Sequence, residues 1–159
     1  MSPLVFESRD ESGTDALGAA LARLLPDGTV VALQGPLGAG KTRLVRAIAV
    51  ASGVPPDEIA SPTFVLVRQY AGSRTLYHID AYRLNDDDEF LALGPEEYFA
   101  APCLVLIEWA DRVERCLPRD RVEIRIDETG PTSRSMTIEA CGDRFGAVIA
   151  SLEAWMRTQ

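Results

Sequence analysis

The strongest constraint in this chain is the run Gly35-Pro36-Leu37-Gly38-Ala39-Gly40-Lys41-Thr42 and the company it keeps. Thr29-Val30-Val31-Ala32-Leu33 precedes it, an apolar run of the length expected for a buried strand. From Lys41 to about Ala51 a helix is predicted, with Leu44, Ile48 and Ala51 inward and Gly53 at its C-terminal end. Glycines let a loop curl until successive backbone N–H groups converge on one point, and the following helix adds the positive end of its dipole. Such a cradle suits phosphate oxygens. Lys41 supplies a compact cation for the outer phosphates, a role that the broad fork of arginine fills poorly, and Thr42 offers a hydroxyl to Mg²⁺. The pattern predicts a nucleoside triphosphate site contacted by Gly35, Pro36, Leu37, Gly38, Ala39, Gly40, Lys41 and Thr42, with Arg43 beside them.

Composition sharpens this reading. Lysine and arginine total 16, and Lys41 is the single lysine, so a chain that otherwise places arginine on its surface keeps its one ammonium in the loop. The net charge of −8 argues against autonomous binding to a phosphate backbone, although one local site can still oppose the global field. The start MSPLVFESRDES lacks the basic and apolar stretches of a secretory signal, and no run reaches the length of a membrane span. A soluble cytoplasmic protein with one domain over residues 1–159 is expected. Cys103, Cys116 and Cys141 form no CxxC pair and no zinc spacing with His78, the only histidine, and read as buried thiols.

Around the loop the chain alternates between helical and extended signals. Leu4-Val5-Phe6 reads as a short edge strand, and Thr14 as the N-cap of a helix carrying Leu17, Leu21 and Leu24/Leu25, stopped by Pro26-Asp27-Gly28. Ser61-Pro62-Thr63 opens a β-rich stretch from Phe64 to Tyr70, which turns at residues 71–74 and returns over Thr75 to Asp80. Residues 86–100 look helical and broken at Gly94-Pro95. Cys103 to Ile107 is a second buried strand, while Val122-Ile124-Ile126 and Met136-Ile138-Ala140 alternate as half-solvated antiparallel strands do. A last helix from Asp143 to Met156 lays Phe145, Ile149 and Leu152 on one face. These elements imply an α/β fold with helices on the faces of a mixed sheet.

Hydrolysis of a triphosphate needs acidic groups beside the loop. Leu104-Val105-Leu106-Ile107 ends in Glu108, placed to hold the metal or to polarise an attacking water. Asp80, in Tyr77-His78-Ile79-Asp80-Ala81-Tyr82-Arg83, stands at another strand end, able to join the metal shell or to orient water. Ser61 and Thr63 follow the first helix after the loop, where nucleotide switches often carry a hydroxyl. His78 reads as a packed or exposed strand residue, and Arg83 is open to pairing with the acids of residues 86–89.

The order GPLGAGKT, SPTF, YHIDAYRL and LVLIEWADR resembles the TsaE family over roughly residues 14–127. The resemblance implies a three-layer P-loop NTPase fold with a mixed, partly antiparallel central sheet. It implies a weak ATPase, using ATP and Mg²⁺, needed for N6-threonylcarbamoyladenosine at tRNA position 37. The partner it implies is the TsaB–TsaD heterodimer, with tRNA met only indirectly and no membrane involved. Matched residue by residue, Lys41 and Thr42 take the phosphate and Mg²⁺ contacts. Asp80 and Glu108 are the acids of hydrolysis and of the metal site, Trp109 is the tryptophan beside the nucleotide, and Ser61 to Thr63 form the switch segment. The family commonly has tyrosine where this chain has Phe64.

Two other readings use the same loop. A small-molecule kinase needs an arginine-rich lid, and the nearest cluster is Arg112, Arg115, Arg119 and Arg121. A module that uses nucleotide only structurally would not need Thr42, Asp80 and Glu108 together. A guanine-reading Asn-Lys-x-Asp motif cannot exist here, because the one asparagine is Asn85 and the one lysine is Lys41.

Overall fold

The computed structural model of the protein describes residues 2–59 and 66–159. Seven strands form one sheet: β1 (Leu4–Ser8), β2 (Thr29–Gln34), β3 (Val67–Ala71), β4 (Thr75–Asp80), β5 (Cys103–Glu108), β6 (Arg121–Glu128) and β7 (Arg134–Cys141). Their spatial order is β1-β7-β6-β2-β5-β4-β3. The four middle strands β6, β2, β5 and β4 run parallel, while β7, β1 and β3 add antiparallel margins. Among the described residues five α-helices accompany them: α1 (Glu11–Leu24), α2 (Lys41–Ala51), α3 (Asp87–Leu91), α4 (Pro95–Ala100) and α5 (Gly146–Met156). This is the expected mixed α/β architecture, with Leu4–Ser8 at one margin of the sheet.

The continuous apolar runs of β2 and β5 follow from burial on both faces. Val31 and Leu33 of β2, with Leu104 and Leu106 of β5, pack beneath Leu17 and Leu21 of α1, Leu44 and Ile48 of α2, and Ile149 and Leu152 of α5. The alternate residues Val30, Ala32, Val105 and Ile107 pack against Phe90 of α3 and against Ala110 and Val113 in the 3₁₀ turns of Ala110–Cys116. Helices α1 and α2 approach closely because Gly18 has no side chain; a Cβ there would lie 2.4 Å from that of Ala47.

The structure corrects several local expectations. Helix α1 begins at Glu11, capped by Asp10, whose Oδ1 accepts from the Gly13 N–H at 3.0 Å. Thr14 lies inside the helix, buried, with its hydroxyl 3.1 Å from that of Ser8. Ala51 faces solvent, since α2 ends where its buried stripe has rotated past the sheet. Helix α5 starts at Gly146 because the backbone N–H groups of Asp143 and Arg144 are both taken by Asp120 Oδ1, which holds them in a turn. Strand β6 is antiparallel to β7 but parallel to β2. Of the three free cysteines only Cys103 is buried; Cys116 and Cys141 are partly exposed. Ser61, Pro62, Thr63 and Phe64 lie outside the described residues. Among the described residues no helix is long and apolar enough to cross a membrane.

Candidate functional site

The parallel middle of the sheet carries its chemistry at the C-terminal strand ends, where β2 runs into the glycine-rich loop and α2 departs from it. Gly35 takes φ +148°, and a Cβ there would meet the Ile126 carbonyl oxygen at 2.3 Å, so the first turn of the loop accepts only glycine. Gly40, at φ +108°, precedes the first helical residue. The loop is held from within by the Ala39 N–H donating to the Pro36 carbonyl at 3.1 Å. From outside, Arg134 Nε on β7 donates to the Ala39 carbonyl at 2.8 Å.

Lys41 turns back under this loop. Its Nζ donates to the carbonyls of Gly35 (2.6 Å) and Pro36 (2.9 Å) and sits 4.0 Å from the centre of the Trp109 ring. Only 4% of the residue is exposed. Burial lowers its pKa from the ordinary lysine value, against the opposing pull of Glu108, Asp111 and Asp80. Trp109 reaches this position because its backbone adopts φ +57°, a left-handed conformation uncommon outside glycine. Its ring packs on Tyr82 with centroids 4.9 Å apart, and the Arg112 guanidinium flanks both rings.

The acids arrive by strand register. Asp80 and Glu108 are direct partners at the ends of β4 and β5. Glu108 is buried, and its two oxygens have different partners: the Thr42 hydroxyl donates to Oε1 at 2.7 Å, and His78 Nε2 lies 2.5 Å from Oε2. Behind it, Tyr70 Oη stands 3.4 Å from His78 Nδ1. Asp80 Oδ1 accepts from the Tyr82 N–H at 2.9 Å. Burial raises the Asp80 pKa above the usual carboxylate range; the Tyr82 N–H opposes this, and Glu108 adds to it.

A cavity of about 300 Å³ opens over these groups, lined by residues 37–43 with Asp80, Tyr82, Glu108 and Trp109. It brings together the sequence-predicted Leu37, Gly38, Ala39, Gly40, Lys41, Thr42, Arg43, Asp80, Glu108 and Trp109. Gly35 and Pro36 line the adjoining hollow with Trp109 and Asp111. Ser61 and Thr63 fall outside the described residues. A second cavity of about 580 Å³ lies across the loop, shares Gly40 and Arg43, and is walled by Asp10, Glu11, Thr132 and Arg134. Arg43 is tied to its α1 side by Asp15 at 2.7 Å and Glu11 at 3.5 Å. The oxygen donors Thr42, Glu108 and Asp80 are the hard ligands that suit Mg²⁺, and Lys41 with the N-terminal turn of α2 presents positive charge to an anion.

The sequence reading of His78 as a strand residue holds, and it is packed there; the contact of His78 with Glu108, and those of Tyr70, Tyr82 and Arg134, were not foreseen. His78 carried a usable signal: it stands two residues before Asp80 on a strand, so both side chains point to the same face of the sheet. Arg134 carried none, being 95 residues distant from Ala39.

The chain is similar to known proteins over most of its length. Residues 8–136 match the model of the family described as threonylcarbamoyl adenosine biosynthesis protein TsaE. The tRNA threonylcarbamoyladenosine biosynthesis protein TsaE of Treponema pallidum (strain Nichols) is 40% identical, with 82% of this chain and 96% of the relative covered. That of Bacillus subtilis (strain 168) is 36% identical over 91% of this chain and 90% of the relative. The crystal structure of Bacillus subtilis YdiB superposes with a TM-score of 0.81 at 30% identity, covering 98% of this chain and 97% of that one. With its glycine-rich loop, mixed sheet and paired strand-end acids, the chain belongs to the TsaE family, proteins of tRNA threonylcarbamoyladenosine biosynthesis.

Proposed function

We propose that the protein is a Mg²⁺-dependent ATPase that serves threonylcarbamoyladenosine formation at tRNA position 37, acting on the TsaB–TsaD heterodimer through ATP binding and hydrolysis. The observation that carries this reading is the convergence of Lys41, Thr42, Asp80 and Glu108 on one cavity at the start of α2. In this reading residues 35–42 cradle the phosphates with backbone N–H groups, and Lys41 leaves the Gly35 and Pro36 carbonyls for the outer phosphate oxygens. Thr42, Glu108 and Asp80 hold the metal, whose contribution when bound is to offset the charge developing on the transferred phosphoryl group. Glu108 orients the attacking water with whichever oxygen faces the cavity. The larger cavity across the loop has the room and the mixed polar and apolar walls for the nucleoside, with Arg43 and Gly40 at the junction.

Charge supports an indirect relation to tRNA. A chain of net charge −8 gains nothing from a phosphate backbone, so it acts on tRNA through its partners. The exposed ring of Tyr82 and the exposed side chain of Leu37 border the cavity and offer apolar contacts to a partner.

The test is phosphate release from Mg-ATP and from Mg-GTP by the purified protein, alone and with TsaB–TsaD, together with multi-turnover tRNA modification. Release that favours ATP, needs Mg²⁺ and rises with the heterodimer is expected. No release under any of these conditions overturns the proposal.

A further inference from the structure

The mechanism above uses the Glu108 carboxylate and leaves unexplained why an imidazole is sealed behind it. His78 is 0% exposed, amid aliphatic side chains of the core face that includes Leu76, Leu104 and Leu106. A leucine there would bury no polar atom of its own, whereas a buried imidazole must be hydrogen-bonded to be tolerated. Register explains where its bond goes. His78 pairs directly with Leu106, so Glu108 lies one diagonal step further along β5, within reach of a side chain leaning along the strand. His78 Nε2 meets Oε2 of Glu108, while Oε1 is left to Thr42 and to the cavity. A proton on His78 Nε2 is shared with the carboxylate, and the Tyr70 hydroxyl meets Nδ1 on the other side of the ring.

We infer that His78 is a positioning residue for hydrolysis, backed by Tyr70, which clamps Oε2 of Glu108 so that Oε1 is presented to the Thr42 hydroxyl and the reacting centre. The inference rests on the ATPase reading above. It gains weight from the dual use of Thr42. Were that hydroxyl to hold a metal, its proton would no longer be fixed on Oε1, and the contact from His78 to Oε2 would still orient the carboxylate. Such outer partners orient acidic ligands and typically govern activity by about 10–100-fold.

The test compares H78L, H78Q and Y70F with the wild type, using TsaB–TsaD to support turnover, and repeats H78L in an E108Q background. Glutamine places an Nε2 donor near that of histidine and serves as the rescue. H78L is expected to lower kcat by roughly 10–100-fold while the affinity for a fluorescent ATP analogue stays within about 2-fold. H78Q restores most of the rate, and H78L adds nothing to E108Q, because the clamp acts only through that carboxylate. In the nucleotide-free protein, a slowly exchanging imidazole N–H proton resonance is expected that vanishes in H78L and moves in E108Q. The inference is overturned if H78L turns over at the wild-type rate, if rate and affinity fall together without rescue by H78Q, or if H78L and E108Q add independently. Where H78L does not fold, H78Q and Y70F decide: a wild-type imidazole resonance environment in Y70F and a dead H78Q sink the clamp. A wild type that releases no phosphate sinks the ATPase reading and this inference with it, whereas a working wild type with an indifferent H78L sinks the inference alone.

Discussion

Asp80 and Glu108 stand side by side as register partners at the ends of two parallel strands, and the hydroxyl of Thr42 reaches one of them from the first turn of α2. Two carboxylates so placed repel, and burial adds to the difficulty of keeping Asp80 charged.

Asp80→Asn should therefore stabilise the nucleotide-free protein. A carboxyl whose pKa is raised on folding lends stability that is complete below its unfolded pKa and is lost as pH rises through the folded value. The gain in melting temperature of D80N over wild type should grow as pH rises above the ordinary aspartate range. The same variant should lose Mg-ATP turnover. Thermal melts at several pH values check the first outcome, and phosphate release checks the second.

Lys41→Ala should weaken ATP binding by about 10–100-fold, the worth of a charge-assisted contact to phosphate. Lys41→Arg should not restore it, because the slot between two loop carbonyls and the Trp109 ring fits an ammonium group. Calorimetric titration with Mg-ATP distinguishes the three proteins.

Trp109 should report occupancy. Its ring covers the Lys41 ammonium, while Trp155 of α5 stacks on Phe6 of β1 with centroids 5.6 Å apart. In a W155F protein, Mg-ATP should change the emission of Trp109, and K41A should abolish the change at the same nucleotide concentration.

Gly35→Ala should cost about 2–4 kcal/mol of stability, combining a strained positive φ with a methyl group driven into the Ile126 carbonyl. Gly38→Ala, whose added Cβ meets nothing within 4 Å, should cost less despite its own positive φ. Denaturant unfolding of both variants measures the difference.

The loop and its flanks were legible because their physics is local. Glycines, a single lysine, and apolar runs before and after specify strand, turn and helix without knowledge of distant residues. The apolar run of β5 ending in Glu108 was legible for a similar reason, since burial on both faces leaves no polar alternation. Helix starts were harder. Asp10 and Thr14 are both good caps, and the choice turns on Ser8, which takes the Thr14 hydroxyl from outside the helix. The spacing of His78 to Asp80 gives the face it points to, whereas its contact with Glu108 also needs β4 to lie next to β5, a fact of strand order.

The β6–β7 hairpin lies across the end of the stretch, residues 14–127, over which the sequence resembles the family, yet it touches the loop twice: through the Ile126 carbonyl against Gly35 and through Arg134 on Ala39. A shortened chain ending after β5 would spell out every letter of the motif and still lack the buttress that keeps its curl in shape. Grafting GPLGAGKT onto another strand and helix would transfer the spelling without the scaffolding.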